Sequence, residues 1–163
     1  MAEAFDATML AADKAQRYAE LTVEIAAVLA GEPNRVARMA SVAAMLAQAF
    51  SPRFFWTGFY VVDGPAELVV GPYQGTLGCL RIAFGRGVCG TAAAERRAVV
   101  VPDVEAFSGH IACDARSKSE IVVPVFDTAG ALIAVLDVDS TELAAFDEAD
   151  LAGLELILRQ SFS

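Results

Sequence analysis

Apolar positions recur at helical spacing over residues 11–29 and again over 35–50. In the second stretch Val36, Met39, Ala40, Ala43, Leu46, Ala47 and Phe50 share one stripe, which predicts an amphipathic helix. Gly31, Pro33 and Asn34 break the pattern between the two, with Asn34 suited to cap the second helix, and Ser51-Pro52 ends it. The pattern then turns extended. Residues 54–62 are rich in aromatic and β-branched side chains, stop at Asp63-Gly64-Pro65 and resume over 67–71, which predicts a hairpin. Further strands are expected at 80–83, 98–101, 120–126 and 131–138, the last two joined by a turn at 127–130. A glycine-rich loop at 85–90 leads into a short helix over 91–96, and an irregular stretch runs from 102 to 118. Asp147 caps a last helix to about residue 159, with Leu151, Leu154, Ile157 and Leu158 directed at the sheet.

This order predicts an α+β fold: a six-stranded antiparallel sheet with N- and C-terminal helices on one face and a loop-enclosed pocket on the other. A chain of 163 residues is the size of one domain. We expect it to fold as a single unit over 1–163, with helices in 1–50, sheet and functional loops in 54–140 and a closing helix over 147–160.

Composition narrows the function. No apolar run reaches the ~20 residues a bilayer requires, and residues 1–10 carry Glu3 and Asp6 without a basic residue, unlike a secretory signal. The expected compartment is the cytoplasm. A net charge of −9, with the basic residues scattered, repels a phosphate backbone and argues against a nucleic-acid partner. Three cysteines, an odd count, argue against a permanent disulfide framework and leave thiols for redox or metal chemistry.

Cys79, Cys89 and Cys113 fall in or beside expected loops, and their spacings match neither a zinc nor a thioredoxin-type motif, so no metal is expected. Any one of them alone reads equally well as a small buried hydrophobe. Cys113, however, lies in the polar run from Ser108 to Ser117 with His110, the only histidine, and Arg116, either of which would stabilise a thiolate. Read blandly, His110 only ties down its loop. Asp137 and Asp139 are two apart on one strand and share a face, and Glu120 on the paired strand can join them. Such a cluster inside a β-rich domain is costly unless it pairs, binds a cation or acts as an acid; otherwise these are solvated strand ends.

Three blocks carry a resemblance to a known family: Trp56-Thr-Gly-Phe-Tyr60; Gly71-Pro-Tyr-Gln-Gly75 through Cys79 to Phe84-Gly-Arg-Gly-Val-Cys-Gly-Thr91; and Gly109-His-Ile-Ala-Cys-Asp114 through Ser119-Glu-Ile-Val-Val-Pro124 to Leu136-Asp-Val-Asp-Ser140. The sequence resembles the free methionine-(R)-sulfoxide reductases, which are single GAF domains. The resemblance implies that Cys113 attacks, that Cys79 resolves it, and that Cys89 is auxiliary or substitutes in resolution. It also implies that Glu120, Asp137 and Asp139 line the pocket, with Trp56 and Tyr60 as an aromatic wall near the substrate methyl. Without it, both rings would read as ordinary strand packing.

The chemistry fits these residues. A sulfoxide must be protonated on oxygen before a thiolate displaces it from sulfur, so reduction needs a cysteine and an acid. The product sulfenic acid condenses with a second thiol to a disulfide. A buried anion selects a free amino acid, whose α-ammonium a peptide-linked methionine lacks. No bound cofactor is required, and the resemblance implies thioredoxin, with NADPH upstream, as external reductant, and a homodimer in many members. The main rival is a GAF module that senses a small molecule, and the third reading is a non-catalytic thiol protein that responds to oxidants.

Overall fold

The computed structural model describes residues 2–163, with side chains from Asp13 onward; Met1 lies outside the described residues. Helices α1 (Ala2–Val28) and α2 (Arg35–Ala49) are followed by β1 (Trp56–Val62), β2 (Glu67–Gln74), β3 (Arg81–Ala83), α3 (Gly87–Glu95), β4 (Val99–Val101), β5 (Ser119–Phe126), β6 (Leu132–Ser140) and α4 (Glu148–Phe162). The six strands form one antiparallel sheet, as expected from the pattern, in the order β3-β2-β1-β6-β5-β4, which the pattern alone leaves open. The caps are also those expected. Asn34 accepts the Ala37 N–H at the start of α2, and Asp147 forms a capping box with Asp150 at the start of α4.

Strand alternation divides the sheet between two cores. Phe59, Ile121, Val123, Leu136 and Val138 face α1, α2 and α4, whereas Trp56, Tyr60, Val122 and Val135 face α3 and the long loops. The larger core is pinned by Asp150, whose carboxylate is fully buried at the first turn of α4. It accepts hydrogen bonds from the Tyr18 hydroxyl (2.8 Å), Lys14 Nζ (2.8 Å), Arg53 Nη1 (3.1 Å) and the Asp147 N–H (2.9 Å). One side chain therefore joins α1, the α2–β1 connection and α4. Gly153, one turn later, lies against the Tyr18 ring so closely that a Cβ would come within 2.3 Å of it.

Three expectations require correction. On α2 the buried residues are Met39, Val42, Ala43 and Leu46; Val36 is 63% exposed and Ala40 faces outward, because alanine on a helix turns to solvent at little cost and so defines a stripe poorly. Helix α3 starts at Gly87, a turn earlier than the apolar pattern indicated, so Cys89 is a buried helical residue and not a loop cysteine. Packing outweighs propensity there: a Cβ at Gly90 would stand 2.3 Å from the Ala83 carbonyl oxygen, so only glycine lets α3 rest on the end of β3. Strand β2 runs on through Gly71-Pro72-Tyr73-Gln74, which adds Tyr73 to the sheet.

The Asp150 node yields a first prediction. Asp150→Asn leaves Lys14 and Arg53 without their buried counter-charge and should lower stability by about 3–5 kcal/mol, read as a reduced midpoint in urea unfolding. A loss below about 1 kcal/mol would assign the node little weight.

Candidate active site

Register brings the site together. Glu120 on β5 pairs with Asp139 on β6, Val122 with Asp137, and on the other side of β6 Asp139 pairs with Trp56 and Asp137 with Gly58. Cross-strand partners share a face, so Glu120, Asp137, Asp139, Trp56 and Tyr60 all project to the side away from α1, α2 and α4. There they line a cavity of about 530 Å³, measured to its open mouth, together with Cys89, His110 and Cys113.

The aromatic wall has a third ring that sequence reasoning missed. Trp56 stacks on Tyr60 at 5.7 Å and on Tyr73 at 5.0 Å between centroids. Gly58 makes room for the stack, since a Cβ there would stand 2.2 Å from the Tyr73 Cβ and 2.9 Å from Trp56. The expected strand ends at Gly71 because Pro72 follows it, and so leaves Tyr73 outside the sheet.

The floor is acidic. Glu120 and Asp137 are 5% and 6% exposed, and one carboxylate oxygen of Asp137 has no hydrogen-bond partner. Among the described residues, no lysine or arginine pairs with Glu120, Asp137 or Asp139; the imidazole of His110 approaches them from its loop, with Nε2 3.5 Å from Glu120 Oε2. Burial and the mutual charge of the three groups push all their carboxyls well above the usual carboxylate range. Burial pushes His110 down. The Cys89 thiol, 3.9 Å from Glu120 Oε1, is pushed up by burial and then by the neighbouring carboxylates, as is the Tyr60 hydroxyl. Ligand atoms of Cys89, Glu120 and Asp137 lie within 4.8 Å of one another, a spacing that suits a small cation or an ammonium group.

Over this floor lie the two loops that carry the other cysteines. Cys79 and Cys113, 34 residues apart, are joined by a disulfide with Cα atoms 5.6 Å apart. The loops are also tied without sulfur. Trp56 Nε1 donates to the Thr76 carbonyl (2.8 Å), and Thr76 Oγ1 donates to Asp114 Oδ2 (2.8 Å). Arg116, expected as a possible thiolate partner, is instead taken by Asp114 at 2.8 Å and lies over the Phe55 ring at 4.8 Å. The guanidinium and the Thr76 bond hold the Asp114 carboxyl well below the usual range. His110 likewise turns to Glu120. Thr76 and Asp114 were not singled out from sequence, because a contact across 38 positions leaves no local pattern.

Residues 48–161 match the GAF domain family. The chain is 50% identical to GAF domain-containing protein A of Dictyostelium discoideum, over 90% of each chain. It is 42% identical to the free methionine-R-sulfoxide reductase of Escherichia coli, over 91% of this chain and 88% of that one. Its structure is similar to that of free methionine-R-sulfoxide reductase from Neisseria meningitidis in complex with its substrate, with a TM-score of 0.84, 49% identity and coverage of 90% of this chain and 89% of the other. Fold and site thus define a GAF-domain protein with a disulfide whose Cys113 borders the cavity. Within that class it belongs to the free methionine-R-sulfoxide reductase family.

The raised carboxyls make stability depend on pH. In the unfolded chain Asp137 ionises in the ordinary range near 4, while burial and Glu120 hold its folded carboxyl higher. Rising pH therefore favours the unfolded chain across that interval. Asp137→Asn, which does not titrate, should gain about 1–3 kcal/mol over wild type near pH 7, seen as a Tm a few degrees higher, with the gain vanishing toward pH 4. A Tm advantage independent of pH would count against this account.

Proposed function

We propose that this chain reduces free methionine (R)-sulfoxide to methionine, with Cys113 as nucleophile and Cys79 as resolving thiol. The observation that carries the proposal is the Cys79–Cys113 disulfide, one of whose sulfurs borders a cavity floored by Glu120, Asp137 and Asp139. In the reduced enzyme the Cys113 thiolate attacks the sulfoxide sulfur, and a protonated carboxyl delivers a proton to the departing oxygen. The oxygen passes to the Cys113 sulfur as the bond between the two sulfurs breaks with its electron pair on the methionine sulfur, so methionine leaves and Cys113 becomes a sulfenic acid. The Cys79 thiol then displaces that oxygen as water, forming the disulfide.

The acidic floor serves both needs of the reaction. Three carboxyls forced together hold protons to a higher pH than exposed ones, which suits one of them as the acid, while an ionised neighbour offers negative charge to the substrate α-ammonium. The unpartnered Asp137 oxygen supplies an acceptor for that ammonium. Trp56 and Tyr60 provide an apolar wall for the methyl group. Helix α3 begins at the cavity without a side-chain cap, so its N–H groups are open to the α-carboxylate. Cys89, whose thiol is kept protonated by burial, is a reserve for resolution and not the first choice. Thioredoxin, supplied with electrons from NADPH, would reopen the disulfide, and no bound cofactor enters the cycle. We assign the cytoplasm as the compartment, since a disulfide that must be reopened at every turnover needs a reducing environment. Two copies are expected to associate through α1 and α2, where Val23, Val28 and Val36 are exposed.

With thioredoxin, thioredoxin reductase and NADPH, the R form of free methionine sulfoxide should drive NADPH consumption and the S form should not. No consumption with either, alongside a working control reductase, would favour a small-molecule sensor instead. Cys113→Ser should abolish even a single stoichiometric turnover, whereas Cys79→Ser should keep the first turnover and lose most cycling. Unchanged steady-state rates in Cys79→Ser would move the resolving role to Cys89.

A further inference from the structure

Cys79 stands between two large apolar side chains held out in solvent: Leu77 is 77% exposed and Leu80 is 70% exposed. Their exposure is not the result of a loose loop. The segment is anchored by the Trp56 and Thr76 hydrogen bonds, by the Val70 N–H donating to the Leu80 carbonyl (2.9 Å), and by the disulfide itself. Ile111, 38% exposed, adds apolar surface on the Cys113 side. The charges beside them, Asp114 and Arg116, neutralise each other, so the patch carries little charge in a chain with a net −9. Apolar surface fixed around a bond that must be broken from outside is the mark of a partner's seat.

Resting on the reductase reading above, we infer that Leu77 and Leu80 form the docking surface for a protein carrying a vicinal dithiol and an apolar rim, and that this partner attacks Cys79. Cys113 borders the substrate cavity and Leu77 stands at its rim, whereas Leu80 and Cys79 lie outside the lining, so a reductant arriving over Leu80 meets the Cys79 sulfur. Its thiolate bonds to Cys79 Sγ as the Cys79–Cys113 bond breaks, and the electron pair leaves on Cys113, inside the cavity where the next sulfoxide binds. The partner's second thiol loses its proton and attacks the partner's own sulfur in the mixed disulfide. Cys79 departs as a thiolate and takes up a proton. The partner ends as a disulfide and this chain as a dithiol.

A small dithiol needs no such seat, which separates docking from chemistry. In assays of methionine formation, Leu80→Ser should raise KM for thioredoxin about tenfold and leave the dithiothreitol-supported rate unchanged. A thioredoxin lacking its second active-site cysteine should be trapped as a mixed disulfide on Cys79, mapped by peptide mass. Unaltered KM for thioredoxin, equal losses with both reductants, or trapping on Cys113 or on no cysteine would each overturn the docking proposal. Wild-type protein that forms methionine with dithiothreitol but not with thioredoxin would overturn the choice of partner. Failure to form methionine with dithiothreitol would instead overturn the reductase reading itself.

Discussion

Three carboxylates set side by side on one sheet face, Glu120 and Asp137 buried and Asp139 half-buried, are the constraint to which the rest of this molecule answers. The pairing of β5 with β6 sets Glu120 opposite Asp139, and the two-residue repeat of β6 adds Asp137 to the same face. No lysine or arginine among the described residues neutralises them, so the site holds its charge down by retaining protons. That is a cost in stability and a resource in chemistry. A group that keeps a proton near neutrality can deliver it to a leaving oxygen, and one left without a partner is ready for an ammonium.

Stability is concentrated on the opposite face. There the helices bury a continuous apolar core, and the fully buried carboxylate of Asp150 has four donors and two cationic partners. The contrast between Asp150 and Asp137 is instructive. Both are acids inside the same small chain, yet the first is saturated and ties three segments together, while the second keeps an open oxygen toward a cavity. Polar satisfaction, more than burial, separates a structural carboxylate from a functional one.

The cavity's mouth is framed by two loops that share little local sequence logic but are fastened three ways: by Thr76 to Asp114, by Trp56 to Thr76, and by sulfur. Trp56 belongs to both wall and mouth, since its ring stacks on Tyr60 and Tyr73 while its N–H holds the Cys79 loop. Opening the disulfide therefore leaves two hydrogen bonds to keep the Cys79 loop near its working position, consistent with a bond made and broken repeatedly.

Much of this was legible in the chain. Period and turn residues predict the order of elements, Asn34 and Asp147 announce their caps, and the spacing of Asp137 and Asp139 puts them on one face of the strand that the pattern predicts. These features depend on neighbours within a few residues. What lay beyond reach depended on how separate elements pack on one another: the start of α3, which carries Cys89 into the interior; the face that α2 buries; the entry of Tyr73 into the stack. Sequence determined which chemical groups were present and which face of a strand or helix they occupied, because backbone geometry repeats locally. Only the tertiary structure decided which of them are buried, which are partnered and which cysteine meets which, because desolvation and disulfide geometry are set by distances between segments far apart in the chain.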